Sequence, residues 1–112
     1  MRKQAEEILR RATEKGVSSN FFFVTTFKRY QMQIQILTEL EKEIKRIGTT
    51  ITKTYVKGRE NLCTNPAIAE YNKTSTAANS TVSTLIQIID KLSEEQVRES
   101  KLFKMMEAMG DG

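Results

Sequence analysis

NPAIAEYNKTSTAANSTVSTLIQIIDKL, the stretch from Asn65 to Leu92, decides what kind of fold this chain adopts. The Asn65 side chain can accept a hydrogen bond from the free amides at a helix start, and Pro66 sits at the first helical position, where its missing N–H removes nothing. From there Ile68, Tyr71, Ser75, Ala78, Val82, Leu85, Ile89 and Leu92 recur at alternating spacings of three and four, the period of one helical face. Ser75 and Ala78 keep the first half of that face small and permit close backbone approach. Val82 to Leu92 supply bulk, each large side chain contributing about 1.5 to 3 kcal/mol when fully buried. A helix over 66–92 with such a seam needs a partner of similar length.

That partner lies upstream. Phe23, Phe27, Tyr30, Ile34, Leu37, Leu40, Ile44 and Ile47 repeat at the same spacings and predict a helix over 20–47. Ser18-Ser19-Asn20 offers N-cap residues, and Gly48 a left-handed stop. At about 1.5 Å per residue this rod reaches roughly 40 Å. The two helices are expected to form a long antiparallel hairpin.

Shorter elements flank it. Ala5, Ile8, Leu9 and Ala12 share a face of a helix over about 2–15, closed by Gly16. Between the long helices the texture changes to β-branched and aromatic residues (Thr50, Ile51, Thr52, Thr54, Tyr55, Val56), with Lys57-Gly58-Arg59-Glu60 as a turn, so a short β-hairpin or extended segment is expected near 49–64. Ser93-Glu94-Glu95-Gln96 reads as a capping box opening a fourth helix over about 94–109, whose Val97, Leu102, Phe103, Met105, Met106 and Met109 form an adaptable apolar surface. The expected fold is all-α, a single domain over 1–112, with seams long enough to call for a cyclic oligomer.

Composition narrows the function classes. There is no histidine, and Cys63 is the single cysteine, most simply a small buried apolar residue, so an intrachain disulfide and the usual zinc ligand sets are excluded. Only Asp90 and Asp111 are aspartates, and no phosphate-binding glycine loop or serine-nucleophile motif occurs. No catalytic residue, metal or cofactor is expected; a small nuclease built on Glu6, Glu7 and Glu14 is the remote enzymatic alternative. No run approaches the roughly 20 apolar residues of a spanning helix, so no membrane partner is expected and the cytoplasm is the expected compartment.

The formal net charge of +4 favours an anionic partner without choosing one. Candidate phosphate contacts are Arg2, Lys3, Arg10, Arg11 and Lys15 on the first helix, Lys28 and Arg29 on the second, and Lys53, Lys57 and Arg59 near the hairpin. A solvated helix surface accounts for the same residues. For Lys42, Lys45 and Arg46, interleaved with Glu39, Glu41 and Glu43, the solvated surface is the better reading, because opposite charges three or four apart neutralise one another. Candidate core or oligomer contacts are Phe23, Phe27, Tyr30, Ile34, Leu37, Ile68, Tyr71, Val82, Leu85 and Ile89. Phe21-Phe22-Phe23 lacks the interleaved basic residues of a base-stacking surface and reads as packing or subunit contact.

The order of these features, with Phe27-Lys28-Arg29-Tyr30 in a long helix, Gly48, a threonine-rich extended stretch and then Thr64-Asn65-Pro66-Ala67-Ile68-Ala69-Glu70-Tyr71-Asn72, resembles a phage terminase small-subunit family over roughly Ile8 to Leu92. Family members commonly continue into a segment with glycine and proline, which Ile89-Asp90-Lys91-Leu92-Ser93-Glu94 lacks. The resemblance implies a ring-forming, non-catalytic subunit that recognises double-stranded phage DNA in the host cytoplasm and regulates the terminase large subunit, which carries the ATPase and nuclease. The alternative from the residues alone is a helical protein–protein adaptor whose charge serves solubility.

Overall fold

A computed structural model describes the backbone of residues 2–55 and 59–110, and the side chains of 3–51 and 63–110. Among the described residues there are three helices and one strand pair: α1 (Arg2–Glu14), α2 (Phe21–Ile47), β1 (Thr50–Tyr55), β2 (Arg59–Thr64) and α3 (Pro66–Gly110). The chain is mostly helical, as expected, and the extended segment is a two-stranded antiparallel sheet.

One boundary differs. Residues 66–92 and 94–109 were expected as two helices, yet α3 is a single 45-residue helix running through Ser93. The capping-box residues are a start signal, and a start breaks a helix only where a stop precedes it. No glycine or proline occurs between Pro66 and Gly110, so nothing ends the first helix. Opening the chain at Ser93 would forfeit backbone hydrogen bonds on both sides for one cap.

Helix ends elsewhere follow their local chemistry. Gly16 takes φ 71° after α1; its N–H donates to the Thr13 carbonyl at 3.0 Å and that of Val17 to the Ala12 carbonyl at 2.9 Å, a Schellman closure. Val17 and Ala12, the pair such a closure brings together, are both buried. The Asn20 Oδ1 accepts from the Phe22 and Phe23 amides at 2.9 and 3.3 Å, capping α2. At its other end Gly48, with φ 98°, donates its N–H to the Ile44 carbonyl at 2.7 Å.

Two compact units are distinguished, residues 1–28 with 82–112, and residues 29–81; α2 and α3 each contribute to both. In the first, α1 lays Ile8, Ala12 and Val17 into a core with Phe23, Phe27, Leu85 and Ile89. The Phe23 and Phe27 rings stack at 5.5 Å between centroids. Gln96 reaches the Gly16 carbonyl, with Nε2 donating at 3.5 Å, so this part of α3 runs past the α1–α2 turn.

In the second unit the α2 and α3 segments run antiparallel. Tyr71 donates its hydroxyl to Glu41 at 3.0 Å, and Tyr30, Leu37 and Ala78 are buried. Asn65, 3% exposed, joins three elements: Oδ1 accepts from the Ala67 amide at 3.0 Å, Nδ2 donates to the Gly48 carbonyl at 2.8 Å, and the backbone N–H donates to the Thr49 carbonyl at 2.8 Å. One residue thereby opens α3 and holds the end of α2 through its side chain, and roots the hairpin between them through its backbone N–H.

Candidate nucleic-acid interface

The basic residues fall into groups with different surroundings. On α1, Arg10 is held by Glu7 and Glu14, one turn away on either side. The hydrogen bond from Arg10 holds the Glu7 carboxyl below the usual carboxylate range. Two carboxylates around one guanidinium leave this triad without surplus positive charge, so Arg10 is a poor phosphate ligand as it stands. The same triad ties up Glu7 and Glu14, two of the three glutamates of the nuclease alternative.

Lys3, Arg11, Lys15, Lys28 and Arg29 are exposed, and among the described residues none of them forms a salt bridge. Arg11 and Lys15 are one turn apart, with the Lys15 amide donating to the Arg11 carbonyl at 3.0 Å, so the turn continues the helical path and sets both on one side. Lys28 and Arg29 are adjacent on α2, on the surface away from the buried Phe27 and Tyr30. Arg46 is paired with Glu43 at 2.7 Å, consistent with the neutralised surface expected at 39–46. The side chain of Arg2 lies outside the described residues, as do those of Lys53 and Arg59, which occupy strand positions in β1 and β2, and the whole of Lys57.

Of the expected core residues, Phe23, Phe27, Tyr30, Leu37, Leu85 and Ile89 are buried within the chain, while Ile34, Ile68, Tyr71 and Val82 are half-buried. Leu9 and Ile47, placed on apolar seams by their spacing, are exposed, and Cys63 is half-buried. The phenylalanine run divides: Phe23 is buried, whereas Phe21 and Phe22 are exposed and meet edge to face at 5.8 Å. Sequence reasoning missed the buried Val17, which the Gly16 closure signals, and the buried Thr81, whose hydroxyl satisfies itself on the Ala77 carbonyl at 3.0 Å.

Two other surfaces bear on what can bind. A hollow of about 300 Å³ lies between the α1–α2 turn and α3, but Glu95 and Glu99 line it, and their charge repels phosphate. Every residue of α3 from Glu94 to Gly110 is exposed. Within that segment Leu102, Met105, Met106 and Met109 share a face flanked by Lys101 and Phe103, while Lys104 and Glu107 lie opposite. An uncovered amphipathic face of this kind is suited to a protein contact.

No helix of the described residues is long and apolar enough to cross a membrane. No family model, curated protein or solved structure matches this chain significantly.

Proposed function

We propose that the chain is the non-catalytic DNA-recognition and regulatory small subunit of a phage DNA-packaging terminase, assembling into a cyclic oligomer that presents viral DNA to the large ATPase and nuclease subunit. The resemblance around Asn65-Pro66-Ala67 supplies the biology. The observation that carries DNA binding is the set Arg11, Lys15, Lys28 and Arg29, exposed and unpaired in salt bridges among the described residues. Repeated around an oligomer, such contacts add up, because each further phosphate engaged becomes an intramolecular event. Lys3 and the hairpin residues Lys53, Lys57 and Arg59 extend the set; Arg2 and Arg10 complete it, Arg10 only where DNA displaces a glutamate. The uncovered α3 face supports assembly.

That same face favours a second reading, a helical adaptor whose apolar tail binds another protein without DNA. Light scattering on the purified protein with and without duplex DNA, at low and high salt, separates the two. The terminase reading expects a discrete multi-subunit species that binds duplex and releases it in salt. Reversing Arg11, Lys15, Lys28 and Arg29 to glutamate should abolish that binding and leave the assembly intact. A DNA-indifferent protein selects the adaptor.

A further inference from the structure

A second apolar stripe runs along α2, off its buried face. Met32 is 57% exposed and Ile36 41%, Leu40 is half-buried, and the charged Arg29 and Glu43 stand at the two ends. At about 3.6 residues per turn these five fall within about 80° of arc, centred about 110° round the helix from the buried Tyr30 and Leu37. All five belong to the unit formed by residues 29–81.

The stripe is symmetric about its centre. Met32 and Leu40 lie four residues to either side of Ile36, and Arg29 and Glu43 lie seven. A second α2 laid antiparallel across a two-fold axis at Ile36 therefore sets Ile36 on its own copy, Met32 on Leu40 of the other chain, and Arg29 on Glu43 of the other chain. Each unlike pair forms twice.

We propose that this stripe is a contact between two copies of the chain, packed antiparallel about a two-fold axis at Ile36. It deepens the assembly part of the proposed function, since a two-fold pair is the smallest closed cyclic assembly, and it does not depend on DNA. Complementarity selects both the occupant and its direction. Antiparallel packing unites the apolar centre and joins opposite charges at both ends, whereas parallel packing sets arginine on arginine and glutamate on glutamate. The Glu43 carboxylate accepts from Arg46 Nε and Nη2 at 3.2 and 2.7 Å, and its two oxygens offer about four lone-pair sites, so a second guanidinium can still be received. Arg29 is exposed, and an exposed ion pair shifts an equilibrium by about 5-fold at most. The charges thus fix the register, while Met32, Ile36 and Leu40 supply the affinity, so reversing Arg29 does not dissolve the pair.

The test is sedimentation of the full chain, with cysteine cross-linking in a Cys63→Ser background. Ile36→Cys should form a disulfide-linked dimer under oxidised glutathione, because the axis brings the two copies of position 36 together. Met32→Cys and Leu40→Cys should link when mixed and not alone: in this register each stands about 12 Å along the axis from its own copy, beyond the roughly 4.4 to 6.8 Å between Cα atoms that a disulfide spans. Ile36→Lys places an unpaired charge at the centre and should raise the dissociation constant by about 100-fold or more, with helical circular dichroism as in wild type showing that the chain still folds. A folded Ile36→Lys of unchanged mass, or Met32→Cys linking to itself as readily as to Leu40→Cys, overturns the two-fold contact and leaves assembly through another surface standing. A wild-type monomer at every concentration overturns both.

Discussion

Replacing Asn65 by alanine removes two side-chain bonds at once, and their worth can be worked separately. The cap on the Ala67 amide contributes about 1 kcal/mol, within the roughly 0.5 to 2 measured for such residues. The bond to the Gly48 carbonyl adds about 1 kcal/mol more. The expected loss is therefore about 2 kcal/mol. Unfolding a chain of 112 residues carries an entropy of about 2.1 cal/mol/K per residue, so the melting temperature should fall by roughly 8 °C. Asn65→Ser keeps a capping oxygen but does not span to Gly48, and should lose about half as much. Urea unfolding followed by helical circular dichroism, at one protein concentration, measures both variants. A serine variant as unstable as alanine would refute the capping contribution; an alanine variant within about 0.5 kcal/mol of wild type would refute the joint itself.

Other outcomes follow from the same geometry. Leu85→Ala, at a fully buried position, should destabilise by about 2 to 5 kcal/mol, whereas Leu102→Ala on the uncovered α3 face should leave subunit unfolding within about 0.5 kcal/mol; equal losses in urea unfolding would show that the α3 tail is packed. Gly48→Ala forces a side chain into φ 98° with open space around it, so its cost is backbone strain alone, about 1 to 2 kcal/mol by thermal melting. The hydrogen bond between Tyr71 and Glu41, aided by burial, raises the Tyr71 phenol above its ordinary value, and burial raises Tyr30. A raised folded value means stability present below the unfolded phenol value and lost as pH rises through the folded one, so the stability gap between wild type and Tyr71→Phe should close in alkali. For Glu7 the sign is opposite: its lowered carboxyl contributes above the ordinary carboxylate range and is lost as pH falls through the folded value, so an NMR titration of Arg10→Gln should show Glu7 returning upward.

The helical character, the α2 bounds, the extended texture of 50–64 and the caps at Gly16, Asn20, Gly48 and Asn65 were legible in the sequence, which left open whether the extended stretch pairs. These are decided within a turn or two of chain, by period, by left-handed glycine and by a side chain reaching a nearby amide. The core heptad positions were legible for the same reason, since Phe23, Leu37, Leu85 and Ile89 must be covered wherever a partner helix lies. Basic residues were legible only as residue types, because the chemistry of a lysine in sequence does not say what stands beside it.

Tertiary structure decided the rest. Only the folded chain distinguishes Arg10, bound between two glutamates, from Arg11 on the same helix and Lys15 in the turn that follows it. Only it divides Phe21-Phe22-Phe23 into two exposed rings and one buried ring, since the three consecutive residues point in directions about 100° apart and a packed partner meets one of them. The continuation of α3 through Ser93 is likewise a balance: a local start signal competes with an unbroken ladder of backbone hydrogen bonds, and the ladder wins where no stop residue stands before it. Asn65 joins the two levels. Its capping role could be read from Asn-Pro alone, while its second bond, to Gly48 seventeen residues upstream, exists only because the hairpin returns the chain to the end of α2.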